Sequence, residues 1–392
     1  MTPRERVQIA LAGGRPDRVP FAPEIDYDVI AIAAGREPWE FTHCSAVERA
    51  EMTAIFHLRY DSDLWLCWGG PSYKRQSERE IVRQGDTVYY LDKRTGRRYR
   101  IDRLGDLHTE DDTTVVLGDS GEPIAEREAA IWVAGGPYPR AVEVESDIEE
   151  LYGPVPPPEH WLEDGHLSAV EYLLPRYGQT HFLSFSTNTI FADALDLFGG
   201  FQEGLIALHT KRDLFHKALE HIVEWKKSRI VAGARLGAPG IMPIEYCAGA
   251  DTISPAAYRE FVMPYEREIV AEAHQHGMKV YIWYLGDLMP LLEDIAATGV
   301  DAIYGEQGRK QYSADVVEMR RRLGERTCLV GFNDEDALIA GDFAALERDM
   351  ARQIEGAGRD GAFIMGTTYV TEATPPEHLA RYVEILQRLG KY

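Results

Sequence analysis

Cysteine is scarce in this 392-residue chain. There are four, Cys44, Cys67, Cys247 and Cys328, and no two stand in C-x-x-C spacing. Scattered thiols of this kind predict reduced side chains and a cytoplasmic home rather than a disulfide framework. Basic side chains are also in deficit, 42 Lys and Arg against 64 Asp and Glu, for a formal net charge of −22. Such a surface offers no non-specific grip on nucleic-acid phosphates or anionic lipid. No apolar run approaches the roughly 18 residues of a membrane span, and Met1-Thr-Pro-Arg-Glu-Arg lacks the apolar core of a signal peptide. Neither G-x-G-x-x-G nor a P-loop follows any predicted strand, which weakens a nucleotide-binding reading. The expectation is an acidic, soluble protein acting on a small molecule, with no nucleic-acid or membrane partner.

What is present is organised around Lys279-Val-Tyr-Ile-Trp-Tyr-Leu-Gly-Asp287. It follows a helical stretch that stops at Gly277, and it is apolar and aromatic enough for a strand buried on both faces. Polar and aromatic groups gather at its far end, where a parallel strand turns into the next helix and where sites form.

The rest of the chain supplies seven more such strands: Asp17 to Asp26, Leu64 to Trp68, Phe182 to Ser186, Gly240 to Tyr246, Ala302 to Glu306, Thr327 to Asn333 and Ala362 to Thr367. Nearly all are followed by helical patterns, such as Ala46 to Arg59, Ile190 to Leu208, Leu214 to Leu236 and Pro375 to Leu389. Eight strand and helix units predict an α/β fold, a (β/α)8 TIM barrel, with a doubly wound open sheet as the alternative. The texture changes from about 72 to 135. There Val88 to Ile101 reads as an antiparallel hairpin turning at Thr95-Gly96, so a small β-rich insertion is expected within a single barrel domain of residues 1–392. That insertion reads as a lid or a dimer contact, and a homodimer is among the expectations.

Several segments together resemble the uroporphyrinogen decarboxylase-like superfamily, which includes corrinoid-dependent methyltransferases. They are Arg4-Glu-Arg-Val with Pro16-Asp-Arg-Val-Pro20, the run Ile253 to Tyr265, the run Leu292 to Ala302, and Thr374-Pro-Pro-Glu-His-Leu379. The resemblance spans almost the whole chain and implies the barrel. It also marks departures. Where the decarboxylases carry an arginine-rich motif and an aspartate, this chain has Glu24-Ile-Asp-Tyr27 and Cys67-Trp-Gly69, so an octacarboxylate would meet carboxylates. Where the thiolate-zinc methyltransferases carry His-x-Cys and a later Cys, it has Trp283, Leu285 and Gly366-Thr-Thr-Tyr369. The O-demethylase branch implies a metal held by two glutamates with fourteen residues between them and a histidine. Glu245 and Glu260 have that spacing, making them candidate zinc ligands, but Tyr281 stands where the histidine would be.

In a parallel barrel the strand ends line the mouth. The candidate residues are therefore Glu24, Asp26, Asn188, Glu245, Tyr246, Trp283, Tyr284, Asp287, Glu306, Asn333 and Tyr369. Glu245 and Glu306 are the catalytic candidates, since a carboxyl at the end of an apolar strand is desolvated and its raised pKa suits acid-base work. Asp26 and Asp287 have helix capping as an equal alternative. The remaining residues form an aromatic and polar wall for a neutral or cationic substrate. The leading expectation is transfer of a methyl group from a small methoxylated or methylated compound to a corrinoid on a partner protein, with zinc or no bound cofactor in this chain. The alternatives are a decarboxylase or lyase on a smaller substrate, using Arg18, Arg75 or Arg309, and a non-catalytic ligand-binding barrel.

Overall fold

The computed structural model describes the chain apart from residues 70–71, 118–122, 127–137, 139, 188, 307–311, 313 and 368. Eight parallel strands form its centre: β1 Phe21–Ala22, β2 Leu64–Cys67, β3 Phe182–Ser186, β4 Gly240–Met242 continuing as Ile244–Glu245, β5 Lys279–Tyr284, β6 Ala302–Gly305, β7 Cys328–Gly331 and β8 Phe363–Gly366. They pair in the order β1-β8-β7-β6-β5-β4-β3-β2, a nearly closed (β/α)8 barrel rather than an open doubly wound sheet. The remaining gap between β1 and β2 is stitched by Asp63, whose N–H donates to the Phe21 carbonyl at 2.8 Å and whose Oδ2 accepts the Phe21 N–H at 2.8 Å. Arg6 and Arg18 both pair with that buried carboxylate at 2.9 Å, at the end of the barrel where the strands begin.

Period-2 alternation sorts each strand into an inner and an outer face. In β5, Tyr281 and Trp283 join the barrel interior with Leu66, Phe182, Met242, Tyr304 and Ile364, while Val280, Ile282 and Tyr284 pack outward against helices. The helix Pro3–Leu11, capped by Thr2 in a capping box with Glu5, contributes Val7, Ala10 and Leu11 to the same interior cluster and plugs the opposite end. Only the carboxyl ends of the strands are left to hold a site.

Local chemistry moves several boundaries. The long first strand expected from Asp17 shrinks to two residues, because Pro20 and Pro23 cannot donate to a ladder. Pro243 likewise splits β4. The helix expected over Ile190 to Leu208 is two, Phe191–Leu197 and Phe201–Thr210, broken by Gly199 and Gly200 at positive φ. Between β2 and β3 lies a six-stranded antiparallel sheet running from Arg79 to Glu126. Its hairpin pairs Thr87–Asp92 with Arg98–Ile101, and Asp92 Oδ1 accepts from the N–H groups of Arg94 and Thr95 in the turn.

Candidate functional site

The turn after β1 is laced to the turn after β8. The Asp26 N–H donates to the Val370 carbonyl at 2.9 Å and the Val370 N–H donates to the Glu24 carbonyl at 3.0 Å. The Glu24 N–H donates to Thr367 Oγ1 at 3.0 Å, and that hydroxyl returns a bond to the Glu24 carbonyl at 3.2 Å. This double clamp fixes the Glu24 backbone and leaves its side chain to point into the barrel. Glu24 is only 4 % exposed, and its Oε1 has no hydrogen-bond partner. Burial first, and the neighbouring Asp26 second, raise its pKa well above the ordinary carboxyl value and favour the neutral acid.

Aromatic rings enclose this acid. Its charge would be felt by the phenols of Tyr281, Tyr304, Tyr369 and Tyr27. Tyr281 bonds Ser184 Oγ at 2.5 Å, and that hydroxyl donates to the Trp65 carbonyl at 3.1 Å. Tyr304 donates to the Thr367 carbonyl. Gly366 makes that reach feasible, because a Cβ there would collide with the Tyr304 hydroxyl and the Gly331 carbonyl. Trp283 lies 6.1 Å from the Tyr304 ring and 6.1 Å from the Tyr369 ring. On the β2 side, Trp68 meets Tyr27 edge-on at 5.2 Å.

The structure thus brings Glu24, Asp26, Trp283 and Tyr369 together at the mouth, and Tyr246 packs half-buried beside the same interior cluster. Asp26 also caps the helix Tyr27–Ala33, accepting from the Tyr27 N–H at 2.7 Å, and its pKa is raised chiefly by burial. Glu306 directly follows β6 and is half-buried. Asp287 accepts from the Met289 N–H at 3.3 Å, although Leu288 holds the N-cap position of the turn that follows. Asn188 lies outside the described residues.

Other candidates are carried away from the mouth by strand parity. Tyr284 faces the helical layer and donates to Glu266 Oε1 at 2.7 Å, while Tyr258 donates to Oε2 of the same carboxyl at 2.6 Å. Asn333 accepts from the Tyr382 hydroxyl at 2.5 Å and donates to Asp349 at 2.6 Å. Glu245 is buried and follows the inward-facing Ile244, so it turns outward, accepting from Thr189 Oγ1 at 2.6 Å and from the Cys247 N–H at 3.1 Å. Burial pushes its pKa up to about 8, with Glu266 adding to the shift.

The zinc reading does not fit these donors. Glu260 is engaged with Arg212 and lies 3.5 Å from His216, whereas Glu245 is buried with Thr189. Among the described residues no group of three His, Cys, Asp or Glu side chains could hold a metal ion.

Tyr281, Tyr304, Trp68, Tyr27 and Thr367 were not among the residues that strand-end position selects. Tyr281 had a signal, being two residues before Trp283 and so on its face.

The fold and mouth define a (β/α)8 enzyme class with its chemistry at the carboxyl ends of the strands. A family model for uroporphyrinogen decarboxylase matches residues 135–389. The chain belongs to that family, whose members are decarboxylases or methyltransferases. It is 27 % identical over 275 residues to the uroporphyrinogen decarboxylase of Sodalis glossinidius (strain morsitans), covering 67 % of this chain and 74 % of that protein. It is 26 % identical over 268 residues to the uroporphyrinogen decarboxylase of Erwinia tasmaniensis, covering 66 % and 72 %. A methyltransferase from Methanosarcina mazei superposes with a TM-score of 0.68 at 17 % identity, over 99 % of both chains, a likeness of fold. Among the described residues no helix is long and apolar enough to cross a membrane.

Proposed function

We propose that this protein is a methyltransferase that takes a methyl group from a small methoxylated or methylated compound and passes it to a corrinoid carried by a partner protein. The observation that carries the reading is the Glu24 carboxyl, unpartnered at Oε1, with its pKa raised by burial, beside Trp283, Tyr281, Tyr304 and Tyr369. Demethylation breaks the bond between the methyl carbon and its oxygen or nitrogen, and the electron pair stays on the heteroatom. That leaving atom needs a proton, and Glu24 supplies one from its buried position. The reduced corrinoid supplies the nucleophile that accepts the methyl group. The rings hold the flat body of the substrate and exclude water. Glu306, directly after β6, is a further carboxyl at the strand ends.

Decarboxylation on a smaller substrate is the competing reading. Of the arginines it would use, Arg18 is tied to Asp61 and Asp63 at the far end of the barrel, and Arg309 lies outside the described residues. One assay separates the two. The protein is mixed with reduced free corrinoid and a panel of methoxylated aromatic compounds, and methylated corrinoid is read by absorbance while carbon dioxide is read in the headspace. Methyl transfer that falls in Glu24→Gln supports the proposal; carbon dioxide without methyl transfer overturns it.

A further inference from the structure

The helix Arg212–Leu236 carries two cations three residues apart, and the fold treats them differently. Lys226 is buried and satisfied, its Nζ donating to the Thr187 carbonyl at 2.9 Å and pairing with Asp193 at 2.8 Å. Arg229 is half-buried, and its Nε is sealed from solvent without a hydrogen-bond partner. Its guanidinium stands 5.9 Å from the centre of the Trp161 ring, and the Tyr152 phenol is the polar group that acts on its charge. No carboxylate among the described residues pairs with it. Burial pushes its pKa down to about 10, which still leaves a full cation at neutral pH.

Arg229 lies beside the end of β2. A Cβ placed on Gly69 would stand 3.2 Å from its Nη2 and 3.0 Å from the His166 carbonyl oxygen, so the backbone at the end of β2 passes directly over the guanidinium. The Gly69 carbonyl is itself held by Arg49 Nη1 at 2.5 Å. Trp68, the preceding residue, packs against the barrel interior and touches Tyr27. The cation therefore sits one residue behind the aromatic wall, on the β2 side.

A half-buried guanidinium with a sealed Nε and no counter-charge among the described residues is costly to keep, and a planar oxyanion is the ligand its fork of donors fits. We propose that Arg229 receives an oxyanion of the substrate, so that the compound taken at this mouth carries one acidic group in addition to its methyl-bearing atom. The inference rests on the methyl-transfer reading and narrows its substrate class. It also accommodates the acidic mouth: burial favours the neutral form of Glu24, which does not repel a single anion, whereas a polyanion would also meet Asp26 and Glu306.

The test is calorimetric titration of the full-length protein with benzoate, phenyl phosphate and the neutral isostere benzamide. Wild type is expected to bind an oxyanion about tenfold or more tightly than benzamide, the scale of a charge-assisted pair. Arg229→Gln is expected to lose that preference and Arg229→Lys to keep part of it. The tighter of benzoate and phenyl phosphate names the oxyanion as carboxylate or phosphate. Equal binding of all three, binding of none, or a preference that survives in Arg229→Gln overturns the proposal. Should Arg229→Gln fail to fold, Gly69→Ala replaces it: the added methyl crowds Nη2, and the oxyanion preference must shrink while benzamide binding is kept. No methyl acceptor is present, so failure here is distinct from failure of methyl transfer.

Discussion

Trp283 and Tyr369 stack with ring centroids 6.1 Å apart and planes inclined by 21°. Their strands are separated by β6 and β7, so the contact reaches across the open end of the barrel and sets the width of the mouth. Trp283→Leu removes one wall while keeping an apolar side chain. KM is expected to rise about tenfold, the worth of a lost aromatic contact, with a smaller change in kcat. Steady-state kinetics check this, and an unchanged KM would place the substrate elsewhere.

Glu24→Gln keeps the shape of the side chain and removes its proton. Turnover is expected to drop about a hundredfold or more, the usual contribution of a positioned acid. The pH profile gives the sign. Glu24 works while protonated, and burial places its pKa well above the ordinary 4.5, so wild-type activity falls as pH rises through that raised value. The variant loses this alkaline limb. A limb of the same position in Glu24→Gln would assign it to another group.

Glu245 makes the same physics visible in stability. Its carboxyl is neutral in the fold with a pKa of about 8, against 4.5 when exposed. The folded protein then holds a proton that the unfolded chain releases, so this stabilisation is complete below about pH 4.5 and is lost as pH rises to about 8. Glu266 acts with the same sign up to about 7. Buried His57, pushed down to about 3 from 6.5, acts oppositely and loses stability as pH falls below 6.5. Glu245→Gln is expected to flatten the decline of Tm between about pH 5 and 8. A decline as steep as wild type would show that Glu245 is ionised in the fold.

Tyr284→Phe tests strand parity. It leaves Glu266 Oε1 without its 2.7 Å donor and is expected to cost about 1–3 kcal/mol of stability. The Glu266 pKa rises further, because that bond lowers it. KM is expected to stay within a factor of about two, since the ring faces the helices. Denaturant unfolding and kinetics on one preparation separate the outcomes, and a large KM effect with unchanged stability would put Tyr284 in the mouth.

The contrast between Trp283 and Tyr284 shows how far the sequence could be read. Eight strand and helix units were legible because each parallel strand is a short apolar run closed by turn residues. Helix limits such as Ala46–Arg59 match the expected bounds. Facing was not legible. A strand buried on both sides has no polar alternation, so nothing in Lys279–Tyr284 says which of two adjacent aromatic residues looks inward. The same ambiguity hid the outward turn of Glu245 after Pro243 and the link of Asn333 to Tyr382. Glu24 was visible as a strand-end carboxyl, but its isolation was not. That depends on Thr367 and Val370, more than 340 residues away in the chain, which occupy its backbone and leave its side chain unpaired.

The most direct measurement is the infrared difference spectrum between wild type and Glu24→Gln at neutral pH. Glu245 and Glu266 are common to both proteins, so the difference isolates Glu24. Loss of the carbonyl stretch of a protonated carboxyl is the predicted result, and its disappearance from wild type at higher pH should track the fall in turnover. Loss of an ionised carboxylate band instead would contradict a neutral Glu24 acid at the mouth, and with it the proposed route for protonating the leaving group.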